Sequence, residues 1–314
     1  MIGQHLSSTK GGHDVSEASH PSGLGLSVVI PTFDEEEVIA DCLDRLVAQI
    51  DQIADIVVVD NNSRDKTADI VATYVDRYPQ VRMITESRQG LVFARNAGLD
   101  AATGDAIARI DSDTLVGPTW ARDILDFLGA DTDHEWAALC GRGEAYGLPY
   151  GDAMAGVKRR LRFVPFTSRP DASAADVRPV MVLYGSNMVL RRATWLAIRG
   201  AVSMRRDIFE DVDTGLCVGE IGGRNAFLPH IGVGVSPRRM ETGVVSFLRY
   251  MSFLPRTLFL HRRYALGVGA WVLYIPWVTA VHVARLLLIR SWDPDTRGFS
   301  PRNLLRRRVD RVAP

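Results

Sequence analysis

Short runs of apolar, mostly β-branched residues alternate with longer amphipathic segments along the first 130 residues of the chain. The apolar runs predict strands at 26–30, 56–59, 81–85 and 106–110, each followed by polar residues. The amphipathic segments predict helices at 35–49, 65–77 and 92–102, and a further helix from Pro118 to about Leu128. Strands and helices that alternate in this way predict an α/β fold, in which helices flank both faces of a mainly parallel sheet.

The alternation becomes irregular after residue 137. Short strands are predicted at 137–139, 180–184 and 188–190, and helices at 193–198 and 208–219. Between them, residues 141–179 are interrupted by Gly and Pro and carry a basic cluster, formed by Lys158, Arg159, Arg160 and Arg162. We interpret this segment as a candidate binding region for a second substrate, on the acceptor side of a site, with a simple mobile loop as the alternative.

The C-terminal part of the chain has a different pattern. Residues 267–289 form an apolar stretch of about 23 residues, long enough to cross a bilayer, although it contains Pro276, His282 and Arg285. Residues 246–260 are apolar and aromatic with interspersed arginines, which is typical of an amphipathic helix at a membrane surface. We therefore predict that 241–314 is a basic, apolar, helical region that associates with or spans a membrane. A helical pair packed on the main domain is the alternative.

The charge distribution separates the chain into two parts. The net charge is +0, but residues 238–314 contain 14 basic and 4 acidic side chains, which leaves 23 basic and 33 acidic ones before them. An acidic body suits metal-bound phosphate chemistry, and a basic tail suits anionic lipids or nucleic acid. Because the tail has no nucleic-acid recognition motif and lies beside apolar segments, we predict a membrane surface and no nucleic acid.

The N-terminus and the cysteines bear on localisation. Residues 1–25 are polar, rich in Gly, Ser and His and without an apolar core, so they predict a disordered tail and no secretory signal. Three widely spaced cysteines indicate neither a disulfide framework nor a zinc site. With the arginines near the C-terminus, these features predict a cytoplasmic protein at the inner face of the cell membrane.

Asp111 and Asp113 follow the fourth predicted strand, with Ser112 between them. Residues two apart on a strand point the same way, so both carboxylates are expected to face one divalent cation that bridges two phosphates. Hard oxygen ligands of this kind suit Mg²⁺ or Mn²⁺. An Asp-x-Asp triplet is weak evidence alone, because acidic turns after strands are common.

Several motifs occur together in a fixed order: VVIPTFDE at 28–35, IVVVDNNS at 56–63, RQG at 88–90 with ARNAG at 94–98, Gly104-Asp105 through Asp113, GSN at 185–187 with Arg191-Arg192, and EDVD at 210–213. With these motifs, residues 26–239 resemble a family 2 glycosyltransferase with the GT-A fold, a Rossmann-like mixed sheet flanked by helices. The resemblance implies a catalytic domain at 26–240 that uses a nucleotide-diphosphate sugar. It also implies inversion at the anomeric carbon by single displacement.

The resemblance also implies roles for residues on the donor side. Pro31, Thr32 and Glu35 would line the base pocket, and Asp60 would hydrogen-bond the base or ribose. Arg88 would help to neutralise phosphate. The structural alternatives are a helix cap for Asp60 and a solvated surface charge for Arg88.

The acidic motifs would supply the chemistry. By resemblance, Asp111 meets the ribose or a metal-bound water, Asp113 binds the metal directly, and Asp211 of the Glu210-Asp211 pair is the catalytic base. An acceptor hydroxyl must lose a proton as it attacks the anomeric carbon, which requires such a base. A phosphate acceptor is already ionised, and Asp211 would then only orient it. The alternative for the acidic pair is complementation of a helix dipole.

Two departures limit what the resemblance implies. The Gln-x-x-Arg-Trp signature of processive synthases is absent, and Ser-Pro-Arg-Arg-Met stands at 236–240, so we expect transfer of a single sugar. His230 is the nearest candidate for a late histidine at the metal site and is equally consistent with a structural role. The acceptor stays unidentified, with a lipid-linked one favoured by the apolar C-terminal region.

Two other classes of protein compete with this interpretation. A sugar nucleotidyltransferase normally has a Gly-rich loop after the first strand, whereas residues 31–35 contain no glycine. A non-catalytic nucleotide-sugar-binding membrane protein would tolerate substitution of Asp211, whereas an enzyme would keep donor binding and lose turnover.

Overall fold

A computed structural model of the chain describes residues 23–146, 176–293 and 298–299. Within them, nine strands form one mixed sheet in the order β3-β2-β1-β4-β8-β6-β9-β5, with β7 also paired to β9. The strands are β1 (Leu26–Thr32), β2 (Asp55–Asp60), β3 (Val81–Thr85), β4 (Ala106–Arg109), β5 (Leu115–Val116), β6 (Ala138–Ala145), β7 (Arg178–Val180), β8 (Met188–Arg191) and β9 (Asn225–Val235).

Helices follow most of the strands, as the alternating sequence pattern predicts. The helices of the main domain are α1 (Ile39–Val47), α2 (Thr67–Arg77), α3 (Leu91–Ala101), α4 (Trp120–Ala130), α5 (Arg192–Ile198) and α6 (Glu210–Glu220). Strands β1 to β4 are mutually parallel, and β8 pairs antiparallel with β4 and β6. The prediction of an α/β fold with a mainly parallel, helix-flanked sheet is confirmed.

The central strands are continuous apolar runs because both of their faces are buried. On β1, Val28 and Ile30 belong to one core cluster while Val29 belongs to the other, as the period of two along a strand requires. The first cluster includes α1, α2 and α4, and the second includes α3, α5 and α6. A Cβ at Gly98 of α3 would overlap Val29 and lie 2.9 Å from Val59, so glycine lets this helix approach the sheet closely.

Two parts of the sheet differ from the sequence prediction. The predicted strand at 180–184 is wrong: β7 ends at Val180, and the following residues leave the sheet to form the loop that contains Gly185. The 11-residue strand β9 is absent from the prediction because a proline and two glycines interrupt its apolar pattern. It pairs with β6 through an irregular register between Gly141 and Gly143, and also with β5 and β7.

The chain continues beyond β9 into helices that pack beside the sheet domain. They are α7 (Val244–Met251), α8 (Phe253–Leu260), α9 (Tyr264–Gly269), a π-helical turn (Ala270–Tyr274) and α10 (Ile275–Ser291). The last three are continuous and form one 28-residue apolar helix, Tyr264–Ser291, with a mean hydropathy of 1.8 over its most apolar window. The predicted N-terminal tail up to residue 22, the basic cluster at 158–162 and the final arginines lie outside the described residues.

Candidate active site

The carboxyl ends of four parallel strands meet at one edge of the sheet. Thr32, Asp60 and Thr85 are partners in register at the ends of β1, β2 and β3, and β4 leads into residues 110–113 beside them. Open α/β sheets bind ligands at this edge, outside the carboxyl ends of their strands. The motif residues of the first half of the sequence are therefore brought together here.

The predicted base-pocket residues lie at the β1 and β2 ends of this edge. Pro31 and Thr32 are buried, and the Thr32 hydroxyl donates to the Val59 carbonyl oxygen at 3.1 Å. Asp60 is 8% exposed and accepts a hydrogen bond from the Ser63 amide at 3.3 Å, so it orders the turn after β2. Pro31 and Thr32 thus form the buried floor of this part of the edge.

Asn61 shapes the adjoining loop. Its side-chain amide donates to the carbonyl oxygens of Glu86 and Arg88 at 2.7 and 2.8 Å, and its side-chain oxygen accepts from the Gly90 amide. Gly90 has φ +142°, a conformation that favours glycine. The Arg-Gln-Gly motif at 88–90 is therefore held against the end of β2.

Arg88 points to solvent and is engaged by neighbours on its own loop. Its guanidinium pairs with Glu86 at 2.8 Å and lies 5.0 Å from the centroid of the Phe93 ring. The Arg88 hydrogen bonds lower the pKa of the Glu86 carboxyl to about 2. Its phosphate-binding role stays a prediction.

The Asp-x-Asp triplet lies in a turn and not on a strand. β4 ends at Arg109, and residues 111–113 form the turn that follows, so the side chains are not aligned by strand alternation. Both carboxylates are nevertheless partly exposed at this edge, with side-chain exposures of 28% for Asp111 and 23% for Asp113. Strand alternation, the expected reason for a common orientation of the two carboxylates, is therefore wrong, and their metal-binding roles stay predictions.

Glu35 and Arg238 complete the surroundings of Asp113. Arg238 donates to Glu35 at 2.8 Å and lies 3.7 Å from the Asp113 carboxylate. Burial raises the pKa of Glu35; its contacts with Arg238 lower it, and the nearby Asp113 charge raises it further. Carboxylate oxygens are hard donors of the kind that Mg²⁺ and Mn²⁺ prefer, and here Arg238 lies between the two acidic side chains.

A buried arginine connects the triplet with the second acidic motif. The Arg109 side chain is 2% exposed, and its Nη2 atom lies 2.8 Å from Asp111 and 3.5 Å from Glu210. A Cβ at Gly185 would collide with this guanidinium, so the glycine of the GSN motif provides its space. Residues from β4 and α6, about 100 positions apart in the chain, therefore share one site.

Asp211 lies at the N-terminus of α6, beside Glu210. Its carboxylate accepts hydrogen bonds from the Gly185 amide at 2.9 Å and the Val212 amide at 2.8 Å. Burial, followed by the Glu210 charge, raises the pKa of Asp211 to about 6, against the opposing effects of these amides and Arg109. A carboxylate with a raised pKa at a partly exposed position is suited to accept a proton near neutral pH.

Two arginines of this site were not anticipated from the sequence. Arg109 had a recognisable signal, since it is a charged residue within an otherwise apolar strand, AIAR. Arg238 stands in the segment that replaces the processive signature, and nothing in its spacing predicts contact with Glu35, 203 residues earlier. His230 lies on β9 and lines a cleft with Tyr146, whose hydroxyl donates to the Asp113 carbonyl oxygen at 2.9 Å.

Solved structures share this architecture. A mannosyltransferase from Pyrobaculum calidifontis, in complex with GDP-Man and Mn²⁺, superposes with a TM-score of 0.58 at 18% identity, covering 83% of this chain and 74% of that one. Staphylococcus aureus TarS 1–349, in complex with UDP-GlcNAc, gives 0.55 at 15% identity, covering 85% and 80%. The fold is that of the GT-A class of glycosyltransferases.

Sequence comparison identifies the family. The family model described as glycosyl transferase family 2 matches residues 27–195, more than half of the chain, and the chain belongs to this family. An uncharacterized Escherichia coli glycosyltransferase, YibD, is 33% identical over 100 residues, which are 32% of this chain and 29% of YibD. Glycosyltransferase AglE of Haloferax volcanii is 29% identical over 134 residues, 41% of this chain and 42% of AglE. The aligned segments span less than half of either relative.

Proposed function

We propose that this protein transfers a single sugar from a nucleotide-diphosphate sugar to an acceptor hydroxyl, with inversion and with the help of a divalent cation. The observation that supports this most directly is the contact of Arg109 with both Asp111 and Glu210. Arg109 thereby links two motifs: one is expected to bind the donor, and the other is expected to activate the acceptor. A single-displacement reaction needs the two motifs in one site.

The donor side is assigned to the edge formed by β1, β2 and the turn after β4. Pro31, Thr32 and Glu35 line the base pocket and Asp60 binds the base or ribose, while the exposed Arg88 is available to a phosphate. Asp113 would hold Mn²⁺ or Mg²⁺ directly, with Asp111 beside it. The bound cation would offset the negative charge that develops on the leaving diphosphate.

Asp211 is proposed as the base that accepts the proton of the acceptor hydroxyl. With a pKa of about 6, Asp211 is still mostly ionised at neutral pH, and it is a stronger base than an ordinary aspartate. Glu210 contributes through its negative charge, and the Gly185 amide fixes the orientation of the carboxylate. An inverting reaction needs no covalent sugar intermediate, so one base suffices.

The C-terminal helices are proposed to hold the protein at a membrane, where a lipid-linked acceptor would be presented. The helix Tyr264–Ser291 is long and apolar enough to cross a bilayer, and only 22% of its most apolar window is buried. Exposures of 64% for Val272, 71% for Leu273 and 60% for Trp277 leave a large apolar surface uncovered. The arginines near the C-terminus favour the cytoplasmic side, so the proposed location is the inner face of the cell membrane.

A donor screen tests the proposed function. Purified protein is incubated with individual nucleotide-diphosphate sugars, Mn²⁺ or Mg²⁺, and a lipid extract as the acceptor source, and nucleotide release is measured. We expect one donor to support release that requires both cation and extract. Asp211→Asn should bind this donor with unchanged affinity in calorimetry and lower turnover by about 10²- to 10⁴-fold, the usual contribution of a general base.

Asp69→Asn is the matched control, because Asp69 is an exposed aspartate in the first turn of α2. It should keep full turnover. Full turnover of Asp211→Asn would instead support a non-catalytic role for this carboxylate. Absence of cation-dependent binding for every donor would contradict the enzyme assignment as a whole.

A further inference from the structure

Helix α6 carries the acidic motif, and α8 of the C-terminal region packs along it. Leu258 of α8 and Ala270 of the long helix form a small apolar cluster with Val212 and Leu216 of α6. The Phe209 ring, immediately before α6, makes edge-on contacts with aromatic rings of α7 and α8, at centroid distances of 4.6 and 6.0 Å. The C-terminal helices therefore contact the element that contains Asp211.

His261, directly after α8, forms a polar contact with α6. Its Nε2 atom lies 2.9 Å from Asp213 Oδ1, and its Nδ1 atom lies 2.8 Å from Glu220 Oε1. The side chains of His261 and Asp213 are 6% and 1% exposed. The second Asp213 oxygen accepts from the Ser203 amide at 2.9 Å, so the carboxylate is fixed from both sides.

His261 bridges two carboxylates of α6. Two carboxylate oxygens face its two ring nitrogens, and both contacts are hydrogen bonds only when both nitrogens carry a proton, as in imidazolium. The ionisable groups near this contact are Asp213, Cys217 and Glu220 of α6, and Arg95 of α3. His261, which directly follows α8, therefore contacts α6 in its first turns through Asp213 and at its last residue through Glu220.

A second hydrogen bond fixes the start of α6. The Thr257 hydroxyl is fully buried and accepts from the Phe209 amide at 2.9 Å. Phe209 is the residue that caps α6, and its own side chain supplies no capping hydrogen bond. A residue of α8 thus satisfies an amide at the helix start that would otherwise lack a partner. Thr257 and His261, four residues apart, therefore both hydrogen-bond to the first part of α6.

We propose that His261 is a positioning residue for Asp211, and that α8 couples the membrane-associated region to the catalytic site through it. This inference rests on the proposed function for the role of Asp211. Asp213 lies two residues from Asp211 on the same helical turn, so a rotation of α6 that breaks the His261 contact also moves the Asp211 carboxylate away from the Gly185 amide. A base displaced in this way loses reactivity, while the donor site at the other strands is unchanged.

The test uses the full chain and the His261→Gln variant, which keeps the approximate size of the side chain and lacks the two ring nitrogens that bridge Asp213 and Glu220. We expect kcat to fall by about 10- to 100-fold, as for a displacement of around an ångström, with donor affinity in calorimetry unchanged. Amides 205–216 should exchange with deuterium faster than in the wild type. A double-mutant cycle with Asp213→Asn should be strongly non-additive. Glu220→Gln, at the exposed end of the contact, is the matched control and should have a small effect.

Hydrogen exchange is measured on the free protein, so it separates this proposal from the proposed function. If the wild type transfers no sugar, the proposed function fails while the exchange rates still decide whether His261 orders α6. Wild-type exchange and wild-type kcat in His261→Gln would overturn the proposal. The zinc content of both proteins is also measured. One zinc ion per chain in the wild type and none in His261→Gln would overturn the proposal, because Asp213, Cys217 and His261 would then be metal ligands.

Thr257→Val is used if His261→Gln does not yield folded protein. It keeps the shape of the side chain and removes the acceptor of the Phe209 amide. Faster exchange at the start of α6 and a lower kcat are expected, and unchanged values for both would count against the proposal.

Discussion

The pH dependence of turnover provides a quantitative test of the base assignment. Burial and the Glu210 charge raise the pKa of Asp211 to about 6. A general base is active only when ionised, so kcat/KM should rise with pH through about 6 and then level off. At pH 5, one unit below this pKa, roughly a tenth of the Asp211 side chains are ionised, and kcat/KM should be about tenfold below its plateau.

Glu210→Gln is the perturbation that tests the cause of this shift. It removes the like charge beside Asp211, and it releases Arg109, which lies 3.5 Å from Glu210, to interact more strongly with Asp211. Both changes favour the ionised form, so the midpoint should move to lower pH. If the pKa falls by about one unit, the loss of rate at pH 5 becomes only about twofold.

Initial rates of nucleotide release are measured between about pH 5 and pH 8 at saturating cation and low donor. Glu35→Gln is the necessary control, because burial also raises the pKa of Glu35 and its titration could imitate the expected profile. The midpoint should persist in Glu35→Gln and shift in Glu210→Gln. The opposite result, or no shift in either variant, would refute the assignment of the midpoint to Asp211.

The same pKa has a consequence for folding that does not depend on activity. The pKa of Asp211 is raised above the unfolded value of about 3.9, so its contribution to stability is fully present below that value and is lost as pH rises through about 6. An asparagine at position 211 cannot ionise, so the variant does not lose this stability as pH rises. Asp211→Asn should therefore raise Tm relative to the wild type more at pH 7 than at pH 4, and an equal difference at both pH values would contradict the shift.

Three further predictions concern the cation, the packing and the membrane. Asp113→Asn should abolish the increase in donor affinity that Mn²⁺ produces in calorimetry, and an undiminished increase would exclude Asp113 as a ligand. Gly98→Ala should lower the free energy of unfolding in urea by about 1–3 kcal/mol through overpacking, whereas Gly219→Ala, whose Cβ meets nothing within 4 Å, should be neutral or stabilising. Replacing the exposed Leu273 and Trp277 with Ser should reduce flotation with anionic liposomes without lowering Tm, and unchanged flotation would argue against membrane docking by this face.

The sequence pattern predicted the parallel half of the sheet well, because each strand there is a continuous apolar run bounded by polar residues. The predicted strand at 81–85 agrees with β3 at both ends, and β1 and β2 differ by one or two residues. The antiparallel part was harder to predict. β9 contains Pro229, Gly232 and Gly234, and its stability comes from pairing with β5, β6 and β7, which lie far from it in sequence. Local pattern carries little of that information.

Contacts between distant positions account for what the sequence could not predict about the site. Motif order indicated which carboxylates to expect at this edge of the sheet, but it gave no indication that buried Arg109 would lie between Asp111 and Glu210. A buried guanidinium is costly unless it is paired with charges, and here carboxylates of both acidic motifs pair with it. Substitution of either carboxylate should therefore disturb the other through Arg109, and kinetic effects of changes in the two motifs are expected to be non-additive.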